Sequence, residues 1–423
     1  MKAILTPSSI KGNVHIPPSK SMAHRAIICA SLAKGTSTIH NIDYSDDILA
    51  TISGMEKLGA KIESFEHSLV VHGIKQLKQD KEMDIFAHES GSTLRFFIPI
   101  FSLTQQQVTF TGKGRLLDRP QHVYEEIFKK QGLTYLQDKD KIIINGKLKS
   151  GDYQLHGNIS SQFISGLLFT LPLLDDDSYI HILPPFESSS YVKLTIQMLK
   201  EFGIRIEFMD EYTIYIPGKQ QYHAKDIMVE GDYSQLAFFA VLATINHDLT
   251  ITGVNHNSLQ GDKAILSILK RGGVHIDEIE NGYHIYPTKF INGTIDLENC
   301  PDIGPILTVL GMYGKGTMHI KNAQRLRLKE SDRIQAMEEE LHKLKVDIHS
   351  DDSNIFIKGN TNYQGDVNFS SHKDHRIVMS LVIASTLLKQ PCTITGVEAI
   401  NKSYPTFFED FKKIGGKVEI ISD

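Results

Sequence analysis

Apolar and polar positions alternate along this chain in a pattern that returns roughly every 70 residues, a period long enough to hold several elements per copy. Each copy has a strand-like segment with period-two alternation, a helical stretch, and a second strand that opens near a glycine. The copies fall at 38–42 with 58–62, 108–112 with 132–135, 179–182 with 202–206, 249–253 with 272–276, 318–322 with 344–348, and 392–396 with 415–418. The fifth lacks the glycine.

A second element precedes each copy: a polar start followed by a helix rich in apolar and small residues. The six starts are Ser19-Lys20-Ser21, Glu89-Ser90-Gly91-Ser92-Thr93-Leu94-Arg95, Ser160-Ser161-Gln162, Gly231-Asp232-Tyr233-Ser234, Pro301-Asp302-Ile303-Gly304-Pro305 and Lys373-Asp374-His375-Arg376. Bodies such as 163–174, 236–245 and 377–388 are apolar on most sides, which predicts buried helices. The other helix of each copy, as at 337–344, carries one charged face and is expected to be solvated.

Six copies in 423 residues most simply make two domains of three, each with buried helices inside a shell of sheets and outer helices. The boundary falls near Val229-Glu230-Gly231. The strand-like segment 1–16 precedes the first helix and is expected to pair back into the second domain. That gives one domain at 18–229 and another from 1–17 with 230–423, with crossings near 17–20 and 228–232.

The stretch Pro17-Pro18-Ser19-Lys20-Ser21-Met22-Ala23-His24-Arg25 shows what the helix starts carry. Two prolines force an extended approach, and Ser19 or Ser21 can cap the first turn. Lys20 and Arg25 then stand where the helix dipole is already positive. Such cations either reach into solvent or hold an anion. One instance alone favours solvent. Recurrence of polar and cationic groups at several parallel helix starts favours a site for a multiply anionic ligand, formed where two such faces oppose.

Composition narrows the class. The formal net charge is −5, with 41% hydrophobic and 22% charged residues, and no Lys/Arg-dense tail, which argues against nucleic acid as the partner. Cys29, Cys300 and Cys392 make no C-x-x-C pair, so neither a disulfide framework nor a cysteine zinc site is expected. The N-terminus lacks a signal-peptide core and 377–388 is too short to span a bilayer. A soluble cytoplasmic protein is expected, with no membrane partner.

Taken together, Pro18-Ser19-Lys20-Ser21 with His24-Arg25, Ser90-Gly91-Ser92-Thr93 with Arg95, Arg119-Pro120, Ser160-Ser161-Gln162-Phe163, Gln260-Gly261-Asp262, Pro301-Asp302, Lys329-Glu330-Ser331-Asp332-Arg333 and Asp374-His375-Arg376 resemble the enolpyruvyl transferase family over nearly the whole length. The resemblance implies an α/β fold of two similar domains, each of three βαβαββ units with buried parallel helices inside a shell of sheets, an inside-out α/β barrel. It implies addition of the enolpyruvyl group of phosphoenolpyruvate to the 5-hydroxyl of shikimate 3-phosphate. Phosphate is then eliminated from a tetrahedral intermediate, as in the shikimate pathway to chorismate and the aromatic amino acids. No metal or organic cofactor is implied, and a monomer is expected.

Carried over by position, the resemblance places shikimate 3-phosphate on Lys20, Ser21, Arg25, Ser160, Ser161, Gln162, Ser188, Tyr191, Asp302 and Lys329. Phosphoenolpyruvate falls to Lys20, Gly91, Arg119, Gln162, Arg333, Arg376 and Lys402. The arginine fork suits these places because it meets carboxylate or phosphate with two bonds. Asp302 is the expected base at the hydroxyl and Glu330 the proton exchanger at C3, with Lys20 and Lys329 stabilising charge.

Read without the resemblance, 329–333 is also a helix-opening ion-pair pattern, His375 a capping histidine, Pro301-Asp302 an N-cap pairing and Gly91 a turn residue. Two positions depart from the family pattern, Glu89 and Arg325, and the segment 188–191 matches it loosely. The sister enzyme that acts on UDP-N-acetylglucosamine is the nearest alternative, but its usual loop cysteine is missing from Thr111-Gly112-Lys113-Gly114-Arg115-Leu116-Leu117-Asp118-Arg119. A non-catalytic duplicated anion-binding scaffold is the other.

Overall fold

Among the described residues, twelve α-helices alternate between two roles. The computed structural model describes residues 1–78 and 82–422. In chain order the helices are α1 (Lys20–Leu32), α2 (Asp46–Leu58), α3 (Gly91–Ser102), α4 (His122–Lys130), α5 (Ser161–Thr170), α6 (Ser189–Glu201), α7 (Tyr233–Ile245), α8 (Ala264–Arg271), α9 (Gly304–Tyr313), α10 (Arg333–His342), α11 (His375–Ser385) and α12 (Phe407–Lys413). The odd-numbered ones are the apolar helices of the repeat. Every residue of α9 and α11 is buried, as is every residue of α7 up to Thr244. Even-numbered helices bury one stripe, such as Ile265, Leu266, Ile268 and Leu269 on α8, and show water the other face.

The described residues form six four-stranded sheets. In the sheet of the third copy, Asp152–His156 and Ser178–Leu183 run parallel, flanking α5 in sequence. Thr213–Ile216 lies antiparallel to the second strand, and Glu207–Phe208 takes the edge. Helix α6 joins the second strand to this hairpin, so each copy reads βαβαββ. Along the strands buried and exposed residues alternate, as in Met83 and Ile85 of Glu82–Phe86, which turns one face to the inner helices.

Three sheets borrow a strand from far along the chain. Ile227–Met228 pairs parallel with Thr36–His40, supplying the strand that would have preceded α1. Gly12–His15 pairs parallel with Leu249–Thr252. Lys2–Thr6 inserts between Cys392–Thr395 and Lys417–Ile421, antiparallel to both. The first residues thus pair back as the sequence suggests. Contacts divide the chain into two compact units, 18–229 and 1–17 with 230–423. Within the second unit the two crossing segments meet where Asp232 N donates to Pro17 O at 2.9 Å. The Gln260 amide group holds the same place by donating to Gly231 O and accepting from Tyr233 N.

Some boundaries differ from the sequence reading. The strand expected at 202–206 is turn and coil, and a two-residue strand follows it at Glu207–Phe208. Helix α11 stops at Ser385, before the 388 that its apolar run suggested. Pro301–Ile303 is a 3₁₀ turn, and α9 begins at Gly304 with Pro305 in its first turn, where the missing N–H costs nothing.

Inner helices approach closely through small residues. At Gly166 on α5, a Cβ would stand 2.4 Å from Arg95 O of α3 and 2.3 Å from the Tyr124 hydroxyl. That hydroxyl lies 2.7 Å from Arg95 O and 3.1 Å from Phe163 O, joining the two helices. Gly166→Ala should therefore destabilise the 18–229 unit by about 1–3 kcal/mol, the usual cost of overpacking against fixed backbone. Denaturant unfolding measures this, and an unchanged midpoint would refute the close approach.

Candidate active site

Each unit gathers polar and cationic side chains at the first turns of its inner helices, and the two half-sets differ in how they are neutralised. In the 18–229 unit, Ser19 caps α1 by accepting from Met22 N at 3.4 Å, Ser90 caps α3 from Thr93 N at 3.1 Å, and Ser160 caps α5 from Gln162 N at 3.3 Å. These hydroxyls spend themselves on the free N–H groups of the first turn.

The cations follow one turn in. Arg25 is almost fully buried. Its Nε donates to Thr195 Oγ1 (2.8 Å), and its two Nη groups donate to Ser21 O (2.7 Å) and Tyr191 O (3.0 Å). The guanidinium stands 5.4 Å from the Phe96 ring centroid, a favourable quadrupole contact. Burial lowers its pKa to about 10. Arg95 donates to Gln162 Oε1 (2.8 Å) and Pro120 O (3.0 Å), and Gln162 in turn donates to Ser92 Oγ (2.9 Å). Lys20 pairs with Asp47 Oδ2 at 2.6 Å.

Gly91 sits where these groups meet. A Cβ there would lie 3.1 Å from an Arg119 Nη, 3.3 Å from Gln162 Oε1 and 3.7 Å from an Arg95 Nη. Gly91, Arg119 and Gln162 are thus brought together as the motifs suggest, and the missing Cβ keeps the fork of Arg119 in place. Ser188 and Tyr191 stand at the start of α6, Ser188 buried and left-handed at φ 52°. Tyr191 enters the Arg25 cluster through its backbone carbonyl.

In the other unit, carboxylates answer the cations. Asp302 takes Lys329 Nζ (3.1 Å) and Arg333 Nη1 (3.2 Å) on one oxygen and Arg376 Nη2 (3.2 Å) on the other. Arg333 also meets Asp374 through Nε (2.8 Å) and Nη2 (3.3 Å), and Glu330 at 2.8 Å. Arg376 Nη2 also donates to Ser234 Oγ at 3.0 Å, which brings α7, α9 and α11 to one cluster. Burial opposes ionisation of Asp302, but Arg376, Lys329 and Arg333 hold its carboxyl well below the usual carboxylate range. Burial lowers the Lys329 pKa, with Asp302 opposing that shift. Lys402 is exposed to solvent in part and donates to Lys373 O at 2.8 Å.

The simpler readings resolve unevenly. Asp302 does more than open a helix: its carboxylate accepts from Lys329, Arg333 and Arg376 side chains. Asp374, not His375, caps α11, accepting from Arg376 N at 2.9 Å. The 329–333 run does open a helix, since Asp332 accepts from Gln335 N, yet its Arg333 side chain turns inward. Contributors without an assigned place include Arg95, Asp374, Asp47 and Thr195. Arg95 and Asp374 were visible as part of helix starts. Asp47 and Thr195 lie on outer helices and carry no signal in the sequence.

A duplicated scaffold of three βαβαββ units with charged inner-helix starts is the enolpyruvyl transferase class of fold: the enolpyruvyl transferase NikO from Streptomyces tendae superposes with a TM-score of 0.81 at 15% identity, covering 99% of this chain and 98% of that one. An EPSP synthase from Acinetobacter baumannii superposes at 0.84 with 25% identity over the full length of both chains. In sequence, residues 4–411 match the family described as EPSP synthase (3-phosphoshikimate 1-carboxyvinyltransferase), and the chain belongs to that family. Relatives named 3-phosphoshikimate 1-carboxyvinyltransferase include one from Clostridium kluyveri, 44% identical over 417 residues (98% of this chain, 97% of the relative). One from Clostridium perfringens is 46% identical over 418 residues, 98% of each.

The site also carries a buried histidine. His24 Nδ1 lies 2.7 Å from Thr51 Oγ1, which leads at 2.8 Å to Thr93 Oγ1 and at a further 2.8 Å to Ser90 Oγ. Burial, with Lys20 and Arg25 beside it, lowers the His24 pKa well below its usual value. The ring is then neutral when folded, while the unfolded chain binds its proton below about pH 6.5. Stability from this group is full above that pH and is lost as pH falls below it. Between pH 6.5 and 5, the unfolding free energy of the natural chain should fall more steeply than that of His24→Asn, by at most about 1.4 kcal/mol per pH unit. Parallel curves in denaturant titrations would contradict this.

Proposed function

We infer that this chain transfers the enolpyruvyl group of phosphoenolpyruvate to the 5-hydroxyl of shikimate 3-phosphate, releasing inorganic phosphate, a step of the shikimate pathway to chorismate. Family membership supports the reaction. The observation that carries the chemistry is one ionised carboxylate, Asp302, shared by Lys329, Arg333 and Arg376, with Glu330 on the same Arg333. That is an acid–base pair set in a dense cationic field.

The roles are those that the family resemblance implies. Shikimate 3-phosphate belongs with Lys20, Ser21, Arg25, Ser160, Ser161, Gln162, Ser188 and Tyr191, joined by Asp302 and Lys329. Phosphoenolpyruvate belongs with Lys20, Gly91, Arg119, Gln162, Arg333, Arg376 and Lys402. As the 5-hydroxyl oxygen bonds to C2 of phosphoenolpyruvate, its proton passes to Asp302, and C3 gains a proton from Glu330 in its protonated form. In the tetrahedral intermediate the C2–O bond to phosphate then breaks while Glu330 takes a C3 proton back, and the proton on Asp302 leaves with the phosphate.

Arg376, Lys329 and Arg333 hold the Asp302 carboxyl below the usual carboxylate range; substrate anions that engage these cations would raise its basicity. Lys20 and Lys329 stabilise charge on the intermediate. The reading is completed by a cytoplasmic monomer that needs neither metal nor organic cofactor. Its three cysteines are free and buried, and no described helix is long and apolar enough to cross a membrane.

Phosphate release from phosphoenolpyruvate should occur with shikimate 3-phosphate and not with UDP-N-acetylglucosamine. Release with the sugar nucleotide alone would overturn the assignment. In the same assay Asp302→Asn and Glu330→Gln should each lower turnover by roughly a hundredfold or more, the usual weight of a positioned acid or base. Near-normal turnover in either removes that residue from the mechanism.

A further inference from the structure

Arg333, Arg376 and Lys402 are all anchored by the segment 370–374, whose backbone is held in an unfavourable shape. His372 and Lys373 are consecutive residues in the left-handed region, at φ 48° and 56°, where a Cβ crowds the following carbonyl. Local bonds help to fold it: His372 N donates to Ser370 Oγ (3.2 Å), Lys373 N to Ser371 Oγ (3.1 Å) and Asp374 N to Ser371 O (2.9 Å).

The segment delivers two backbone or side-chain anchors to the site. Lys373 O accepts from Lys402 Nζ at 2.8 Å. Asp374 receives Arg333 through two nitrogens, accepts from Ser331 Oγ at 3.1 Å and caps α11, from which Arg376 projects. Three cations assigned to phosphoenolpyruvate therefore depend on one strained turn.

A buried carboxylate on α10 grips that turn from behind. Glu340, 2% exposed, accepts from Ser370 N (2.9 Å) and Lys343 Nζ (2.7 Å) on one oxygen and from His372 Nε2 (2.9 Å) on the other. Burial pushes its pKa up, but these three donors more than offset that and hold it below the usual value. Glu339, Glu340 and His372 bring ligand atoms within 4.8 Å of one another. Both Glu340 oxygens are, however, already taken by ammonium, amide and imidazole, which is the arrangement of a clamp.

We propose that Glu340, with His372, is a positioning residue that fixes the 370–374 turn and thereby sets the phosphoenolpyruvate grip of Lys402, Arg333 and Arg376. The kinetic part of this rests on the reaction inferred above; the clamp itself does not. Its carboxylate touches none of the residues assigned to substrate, so its effect passes through the turn.

Two variants test it separately from folding. Glu340→Gln weakens all three bonds, and His372→Asn removes the ring while keeping a residue that tolerates positive φ. Glu340→Gln should raise KM for phosphoenolpyruvate about tenfold, the effect of one charge-assisted hydrogen bond, and His372→Asn should raise it about threefold. In both, kcat and KM for shikimate 3-phosphate should stay within about twofold, since uniform binding is what is lost. Adding Lys373→Gly to Glu340→Gln removes the strain at that position and should recover most of the loss. Amide exchange over 370–376 gives a readout without substrates: it should speed up in both single variants and slow again in the double. Exchange unchanged in the single variants would overturn the clamp. Unchanged KM for phosphoenolpyruvate in both, or equal losses in every constant without recovery in the double variant, would overturn its positioning role. Lack of any phosphate release by the natural chain, with exchange as expected, would instead overturn the reaction.

Discussion

The structure depends on placing cations where helix dipoles oppose them. An inner helix presents its free N–H groups and partial positive charge at its first turn. Putting Lys20, Arg25 and Arg95 there in one unit, and Arg376 in the other, costs electrostatic energy unless something negative or strongly polar stands by. The two units meet this cost differently. Around Arg25 and Arg95 the partners include backbone carbonyls, hydroxyls and an amide oxygen, groups that carry no net charge. Around Arg333 and Arg376 the partners include Asp302, Glu330 and Asp374. The first half-set mixes neutral partners with the Lys20–Asp47 pair, whereas the second balances its arginines with carboxylates.

This division also explains why the buried pairs are kept. Burying a salt bridge rarely stabilises a fold more than apolar packing would, because desolvation offsets the Coulomb gain. Arg333 and Asp374 lie in a unit already packed with apolar residues, so stability alone gives little reason for them. Orientation does: three carboxylates fix the fork of Arg333 in a single pose, and Arg376 is fixed by Asp302 and Ser234. Two forks fixed in this way can be preorganised for phosphate or carboxylate. The borrowed strands serve the same end. Lys2–Thr6 and Gly12–His15 complete sheets around α7 and α11, so the helices that carry the site are enclosed by closed layers.

Much of this could be read in the sequence because the repeat states it six times. Apolar helix bodies such as those of α7 and α11 and glycine-led strands report their burial through composition, and the prolines at 17 and 18 mark the place where the chain leaves one unit. The helix starts were legible as chemistry because cations there are out of place. What remained hidden was mostly partnership across distance. Thr195 and Asp47 look like ordinary outer-helix residues until Arg25 and Lys20 reach them. Asp302 read alone as a cap, since nothing local tells that Lys329, Arg333 and Arg376 converge on it. Glu340 lies in a run of three glutamates that reads as a solvated face, and only its burial sets it apart from Glu338 and Glu339. The strand read at 202–206 falls instead at Glu207–Phe208, where the chain reaches Tyr215 and Ile214 to pair with.

In the proposed function, Ser160 and Ser161 at the start of α5 belong with shikimate 3-phosphate, whose phosphate would meet this helix start. Its cap can be charged without harming the helix, because aspartate caps as well as serine. Calorimetric titration of shikimate 3-phosphate into Ser160→Asp, beside the natural chain, tests this most directly. The account predicts an equally stable protein whose affinity falls by about a hundredfold or more, as expected when a fixed negative charge meets a phosphate in a poorly solvated site. Undiminished affinity in that variant would contradict it.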